Sequence, residues 1–118
     1  MTNQKLELIV KTLDAKKAKD IEVLDLSGVS NIGDYFIIAT GTSGVAVKSL
    51  ADEVELKAKQ AGYELHHTEG YQTAVWVLLD YGDVVLHIFN AESRAFYSLE
   101  RLWTDAKRVD ISGLLTQN

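Results

Sequence analysis

The sequence predicts a single compact α/β domain, a mixed β-sheet with flanking helices spanning residues 1–118. Three observations carry that prediction. The apolar runs Val75–Leu79 and Val84–Phe89 are rich in β-branched and aromatic residues and stand on either side of Tyr81-Gly82, the pattern of a β-hairpin. Upstream, Tyr35–Thr40 is apolar almost throughout, as a strand buried on both faces is, and it runs directly into Gly41-Thr42-Ser43-Gly44 and a long stretch of helical periodicity. A length of 118 residues, 47% of them hydrophobic, suits one core rather than two.

The elements follow in order. Leu6, Ile9, Val10 and Leu13 recur at helical spacing, so residues 3–17 form an amphipathic helix with Lys5, Lys11, Lys16 and Lys17 outside. Ile21–Leu26 alternates moderately and reads as a strand, and residues 27–33 as a turn-rich loop leading to the strand at 34–40. Thr42 or Ser43 caps the long helix, Val47, Leu50, Ala51, Val54, Ala58 and Ala61 face inward, and Gly62 ends it. A weak strand at 63–67 completes a right-handed strand–helix–strand crossover, and residues 68–71 loop into the hairpin. After the hairpin, Asn90 caps a short helix containing Arg94, Phe96 and Tyr97, and Ser98 caps another at 99–103. Residues 104–118 form a mostly polar C-terminal tail, tethered by Val109, Ile111, Leu114 and Leu115.

The hairpin carries the functional information. A two-residue turn at Tyr81-Gly82 sets Leu79 opposite Val84, Leu78 opposite Val85, Val77 opposite Leu86 and Trp76 opposite His87. Alternation along each strand then sorts the side chains into two faces. Val75, Val77, Leu79, Val84, Leu86 and Ile88 form a wholly apolar face that belongs in a core. Trp76, Leu78, Asp80, Asp83, Val85, His87 and Phe89 form the other, which mixes large anchors with titratable groups as a partner-covered surface does.

Charge and composition exclude several classes. With Lys+Arg 12 against Asp+Glu 17, the net charge of −5 disfavours a nucleic-acid backbone as the main ligand and suits a basic protein. The absence of cysteine excludes disulfides and thiolate metal sites. A polar start and the lack of a long apolar run point to a cytoplasmic protein with no membrane partner. The Gly41–Gly44 turn is a possible anion cradle at a helix N-terminus. However, no Lys follows at phosphate-loop spacing and there is no G-x-G-x-x-G. Asp80 and Asp83 flank a turn and no D-x-D stands on a strand, which disfavours magnesium-dependent nucleotidyl transfer. His66 and His67 are strand neighbours pointing to opposite faces, so they do not share a metal. His87 has neither a nucleophile nor an orienting carboxylate placed beside it by sequence. The expectation is a non-enzymatic protein with no cofactor. Residual nucleotide binding at Gly41–Gly44 and a homodimer built on the exposed sheet face are the alternatives.

Several motifs combine to a specific likeness. They are Lys17-Ala18-Lys19-Asp20-Ile21, Asp34-Tyr35-Phe36-Ile37-Ile38-Ala39-Thr40-Gly41-Thr42-Ser43, Glu69-Gly70-Tyr71, Trp76-Val77-Leu78-Leu79-Asp80-Tyr81-Gly82-Asp83, His87-Ile88-Phe89 and Arg94-Ala95-Phe96-Tyr97-Ser98-Leu99-Glu100-Arg101-Leu102-Trp103. From Lys17 to Ala106 the chain closely resembles the ribosomal silencing factor (RsfS, or Iojap) family. The resemblance implies a domain like a nucleotidyltransferase fold stripped of its catalytic carboxylates. It also implies binding to the large ribosomal subunit through ribosomal protein number fourteen, which blocks joining of the small subunit and represses translation when nutrients are short. Family members tend to form homodimers when free. The implied contact surface is Trp76, Leu78, Asp80 and Tyr81, with Glu69, Tyr71, His87 and Phe89 nearby. Val45-Ala46-Val47 is more apolar than the family pattern, which suits a deeper core or a dimer contact.

Overall fold

Two parallel strands, β2 (Tyr35–Gly41) and β5 (Val84–Asn90), form the centre of the sheet, with Tyr35 opposite Val84 and Gly41 opposite Asn90. In the computed structural model, which describes residues 3–27, 34–97 and 107–115, both strands are buried almost end to end. That explains their nearly continuous apolar sequences. Antiparallel neighbours extend the sheet on both sides: β4 (Trp76–Asp80) and β3 (His67–Glu69) beyond β5, then β1 (Lys19–Asp25) and β6 (Lys107–Arg108) beyond β2.

One face of the sheet is covered by α1 (Gln4–Ala15) and α2 (Gly44–Gln60). Asn3 caps α1, its side chain accepting from Leu6 N–H at 2.9 Å, and Ser43 caps α2 by accepting from Ala46 N–H at 3.1 Å. Leu6, Ile9, Val10 and Leu13 of α1 and Val47, Leu50, Val54 and Ala58 of α2 are buried against Val23, Ile37, Val77, Leu79, Leu86 and Ile88. Val47 goes to this core, whereas Val45 is 81% exposed. The other sheet face buries a second cluster of Leu24, Leu26, Phe36, Ile38, Val85 and Phe89.

The hairpin turn lies one residue later than the sequence spacing predicts. Gly82 and Asp83 form it, closed by Tyr81 N–H donating to Val84 O at 2.9 Å, and Gly82 has φ +93°. Glycine, rather than tyrosine, takes the turn position that needs positive φ. Trp76 therefore pairs with Phe89, Leu78 with His87 and Leu79 with Leu86. Each residue of β4 moves two places along its partner, so the division into two faces survives while the cross-strand neighbours change. The shift also makes Tyr81 a core residue, 1% exposed, on the apolar face rather than at a rim.

Asp83 is structural rather than a mere solubilising residue. Its carboxylate accepts from Lys5 Nζ at 2.7 Å and Asn3 Nδ2 at 3.1 Å, and Lys5 Nζ also donates to Tyr81 O at 2.8 Å, fastening α1 to the turn. Burial works to raise the Asp83 pKa, but Lys5 and Asn3 outweigh it and hold the carboxyl below its ordinary value.

Two other elements differ in extent from the sequence reading. The strand expected at 63–67 is β3 at His67–Glu69, because Tyr63 and Leu65 pack partly into the core beneath α2 instead of joining the ladder. Asn90 does cap α3 (Ala91–Tyr97), accepting from Ser93 N–H at 2.9 Å. Arg94 joins α3 to the sheet, donating to Glu22 Oε2 at 2.7 Å, Thr40 Oγ1 at 2.8 Å and Asp20 O at 2.9 Å, while Arg108 reaches the same Glu22 carboxylate. The expected helix at 99–103 lies outside the described residues. The C-terminal segment is part of the fold: β6 pairs with β1, and Ile111 is 7% exposed within the main core.

Burial, and secondarily Glu55, push the Tyr81 phenol up to about 12, and its hydroxyl has no hydrogen-bond partner among the described residues. Removing a buried, unbonded hydroxyl removes a desolvation cost without losing a bond. Tyr81→Phe is therefore expected to leave stability unchanged or raise it by about 1 kcal/mol in urea unfolding. A loss of that size would mean the hydroxyl is bonded in solution.

Candidate functional site

Trp76 begins β4 at the end of the sheet where β5 finishes, and the loop before it is forced close. Gly70 has φ +79°, and a Cβ there would stand 2.0 Å from Trp76 O, so only glycine fits. The half-buried Trp76 and Leu78, together with Glu69 and Gly70, line an open depression of 330 Å³ beside the β3–β4 edge. Among the described residues it is an apolar concavity with one carboxylate, that of Glu69, in its lining.

Beneath the tryptophan lies an aromatic platform. The Trp76 ring centroid is 5.0 Å from that of Phe89, with the planes 30° apart, and His87 is 4.5 Å from Phe36. Trp76 Nε1–H donates to His87 Nδ1 at 3.0 Å. His87 is 4% exposed, and burial pushes its pKa down to about 4, so near neutral pH it is uncharged. Because Nδ1 accepts the indole proton, the imidazole proton resides on Nε2. That atom has no hydrogen-bond partner among the described residues. His87 therefore fixes the direction of the indole from within the domain.

The structure thus divides the eight residues expected at the surface. Trp76, Leu78 and Glu69 border one depression. His87 and Phe89, expected as polar register and apolar anchor on the surface, are buried because the second face is itself a packed layer. Asp80 is half-buried and accepts from Gly82 N–H through Oδ1 at 2.8 Å, which commits it to the turn. Tyr81 is in the main core, as the register shift requires. Tyr71 belongs with α2: its hydroxyl donates to Asp52 at 2.9 Å, and Lys48 Nζ lies 5.3 Å from its ring centroid. Phe36 is the supporting residue that sequence reasoning did not assign to the site. Its signal was available in the parity of β2, where Phe36 and Ile38 share a face.

Among the described residues no group of three His, Cys, Asp or Glu is placed to hold a metal ion. No described helix is long and apolar enough to cross a membrane.

Comparison with known proteins agrees with this architecture. The family model described as "Ribosomal silencing factor during starvation" matches residues 1–118. The ribosomal silencing factor RsfS of Halalkalibacterium halodurans is 43% identical over 98% of this chain and 100% of its own length. That of Bacillus subtilis is 41% identical over 92% of this chain and 94% of its own. A crystal structure of a Chromobacterium violaceum protein superposes with a TM-score of 0.83 at 39% identity, covering 86% of this chain and 84% of that one.

The buried His87 has a consequence for stability. Its pKa in the folded protein, about 4, lies below its ordinary value of 6.5, so the unfolded chain binds more protons between those values. Stability is then full above pH 6.5 and falls as pH drops towards 4, by up to about 3 kcal/mol. Urea unfolding of the wild type at stepped pH should follow that fall. His87→Gln, which keeps an acceptor for the indole without titrating, should flatten it, and parallel curves for the two proteins would contradict the assignment.

Proposed function

The chain belongs to the ribosomal silencing factor family, and is thereby a ribosome-associated regulator of translation; from that premise we propose that it binds the large subunit through ribosomal protein number fourteen. Its bulk there blocks docking of the small subunit and represses translation when nutrients are short. No chemical step is needed, since occlusion requires only affinity and size, and the protein acts where cytoplasmic ribosomes are. Free copies pair as homodimers, and the dimer competes with the ribosome for the same face.

The observation that carries the contact site is the orientation of Trp76. A large indole stands half-buried at an open depression, with its Nε1–H committed to His87 and its ring supported by Phe89. Such a side chain loses little further freedom on binding, and Trp is prominent among residues that dominate interface energetics. Leu78 and Glu69 adjoin it. The chain's net charge of −5 favours encounter with a basic ribosomal protein. Asp80 and Tyr81 contribute indirectly, by setting the turn and the register that place Trp76.

Co-sedimentation with isolated large subunits, followed by addition of small subunits, tests the reading. The wild type should bind and lower the yield of joined ribosomes in proportion to its concentration. Trp76→Ala should weaken binding by about 2 kcal/mol or more, roughly thirtyfold, and restore joining. A folded Trp76→Ala protein that binds and represses like the wild type would remove this site from the interface.

A further inference from the structure

A cleft of 340 Å³ lies between the end of α1 and the start of α2, lined by Lys16, Lys17, Lys19, Thr42 and Ser49, with only small or aliphatic residues completing it. All three lysines are exposed, and none is within ion-pair distance of a carboxylate among the described residues. By contrast, Lys5 is paired with Asp83, and Arg94 and Arg108 share the Glu22 carboxylate. Three uncompensated positive charges gathered in one cleft are conspicuous in a chain of net charge −5. They create a local field opposite in sign to that of the domain.

The sheet relates this cleft to Trp76. Lys19 pairs with Thr40, Thr40 with Phe89, and Phe89 with Trp76, so the lysine and the tryptophan occupy one transverse row three strands apart. At the usual spacing between neighbouring strands, that separation is about 14 Å. Trp76 lies on the sheet face away from α1 and α2, so a partner that engages both wraps around this end of the sheet.

We propose that the lysine cleft is a phosphate-binding site that engages the RNA backbone of the large subunit beside the protein contact at Trp76. The inference rests on the proposed ribosome docking and adds a second class of partner to it. The chemistry of the lining favours a phosphodiester backbone over a nucleotide. Lysine ammonium groups and the Thr42 and Ser49 hydroxyls donate to phosphate oxygens, while among the described residues no aromatic ring lines the cleft to stack a base and no side-chain amide is there to read one. Among the described residues no carboxylate lines it to hold magnesium, so the proposed role is binding without nucleotidyl transfer. Such contacts position a protein on RNA without reading sequence.

The test is the salt dependence of binding to isolated large subunits. Each phosphate contact releases counterions and steepens the fall of affinity with salt, and losing one lysine contact makes the slope shallower by about one. The variant Lys16→Gln/Lys17→Gln/Lys19→Gln should reduce the slope of log affinity against log salt by roughly two to three. The control Lys57→Gln/Lys59→Gln/Lys107→Gln removes the same charge from exposed positions elsewhere and should leave the slope near the wild-type value. Both variants should bind purified ribosomal protein number fourteen as the wild type does, whereas Trp76→Ala should not.

Equal slopes for the wild type and the cleft variant would overturn the proposal, as would an equal reduction in the control. Loss of binding to the purified ribosomal protein by the folded cleft variant would also overturn it, by making the cleft part of the protein contact. A second arm titrates a fluorescent RNA hairpin at low salt, where weak binding should appear in the wild type and vanish in the cleft variant. This arm decides the matter even if large-subunit docking itself fails. Calorimetry with inorganic phosphate and with ATP separates the sources of phosphate. Saturable binding lost in the cleft variant, with no change in its salt slope on large subunits, would assign the cleft to a small phosphorylated molecule and overturn the RNA assignment.

Discussion

The positive φ required at the first turn residue of the hairpin determines how the functional end of the sheet is assembled. Gly82 alone among the turn residues meets that requirement without cost, and its position sets the pairing of β4 with β5. Trp76 then lies across from Phe89, where its ring finds a platform, and diagonally from His87, where its N–H finds an acceptor. The same register sends Tyr81 into the core and leaves Asp83 in the turn, where Lys5 and Asn3 hold it. One glycine thus connects the N-terminal helix, the hairpin and the aromatic anchor.

The two sheet faces solve different problems. Under α1 and α2 the fully buried hydrophobic side chains are aliphatic apart from Tyr81, and burial stabilises them. The second face contains an imidazole among aromatic rings, which is costly unless its polar atoms are satisfied. The indole N–H satisfies one of them, and both rings are thereby oriented. Under the proposed contact, rigidity in that layer reduces the entropy lost when Trp76 is covered and so offsets the cost of burying a polar ring.

Much of this organisation was legible in the sequence, for definite physical reasons. Helical spacing located both long helices, and the nearly unbroken apolar runs identified the two central strands. Side-chain alternation divided the hairpin correctly from Trp76 onward even though its turn was misplaced, because a shift of two positions preserves parity; Val75, expected in the core, precedes β4 and is exposed. The register was not legible, since Tyr81-Gly82 and Gly82-Asp83 both leave plausible two-residue turns and only backbone geometry selects between them. Nor could alternation reveal that the second face is itself buried: His87 and Phe89 lie on the expected side but under other side chains. Tyr71 escaped for a different reason. The reversal at Gly70 carries it towards α2, and no periodicity describes a loop. The lysine cleft assembles from residues on either side of the first two strands, and the charge of the whole chain conceals it.

The closing strand has a consequence for the order in which the protein comes into being. Residues 107–108 pair with the first strand, and Ile111 enters the main core, so the sheet joins segments more than eighty residues apart, Leu24 meeting Arg108. The central parallel pair likewise joins segments almost fifty residues apart, because Tyr35 meets Val84. Such long-range pairings form late and slow folding relative to local contacts. A nascent chain therefore carries its aromatic anchor before it carries the finished sheet that orients it. The aromatic platform is complete only once the long-range pairing of the central strands has formed.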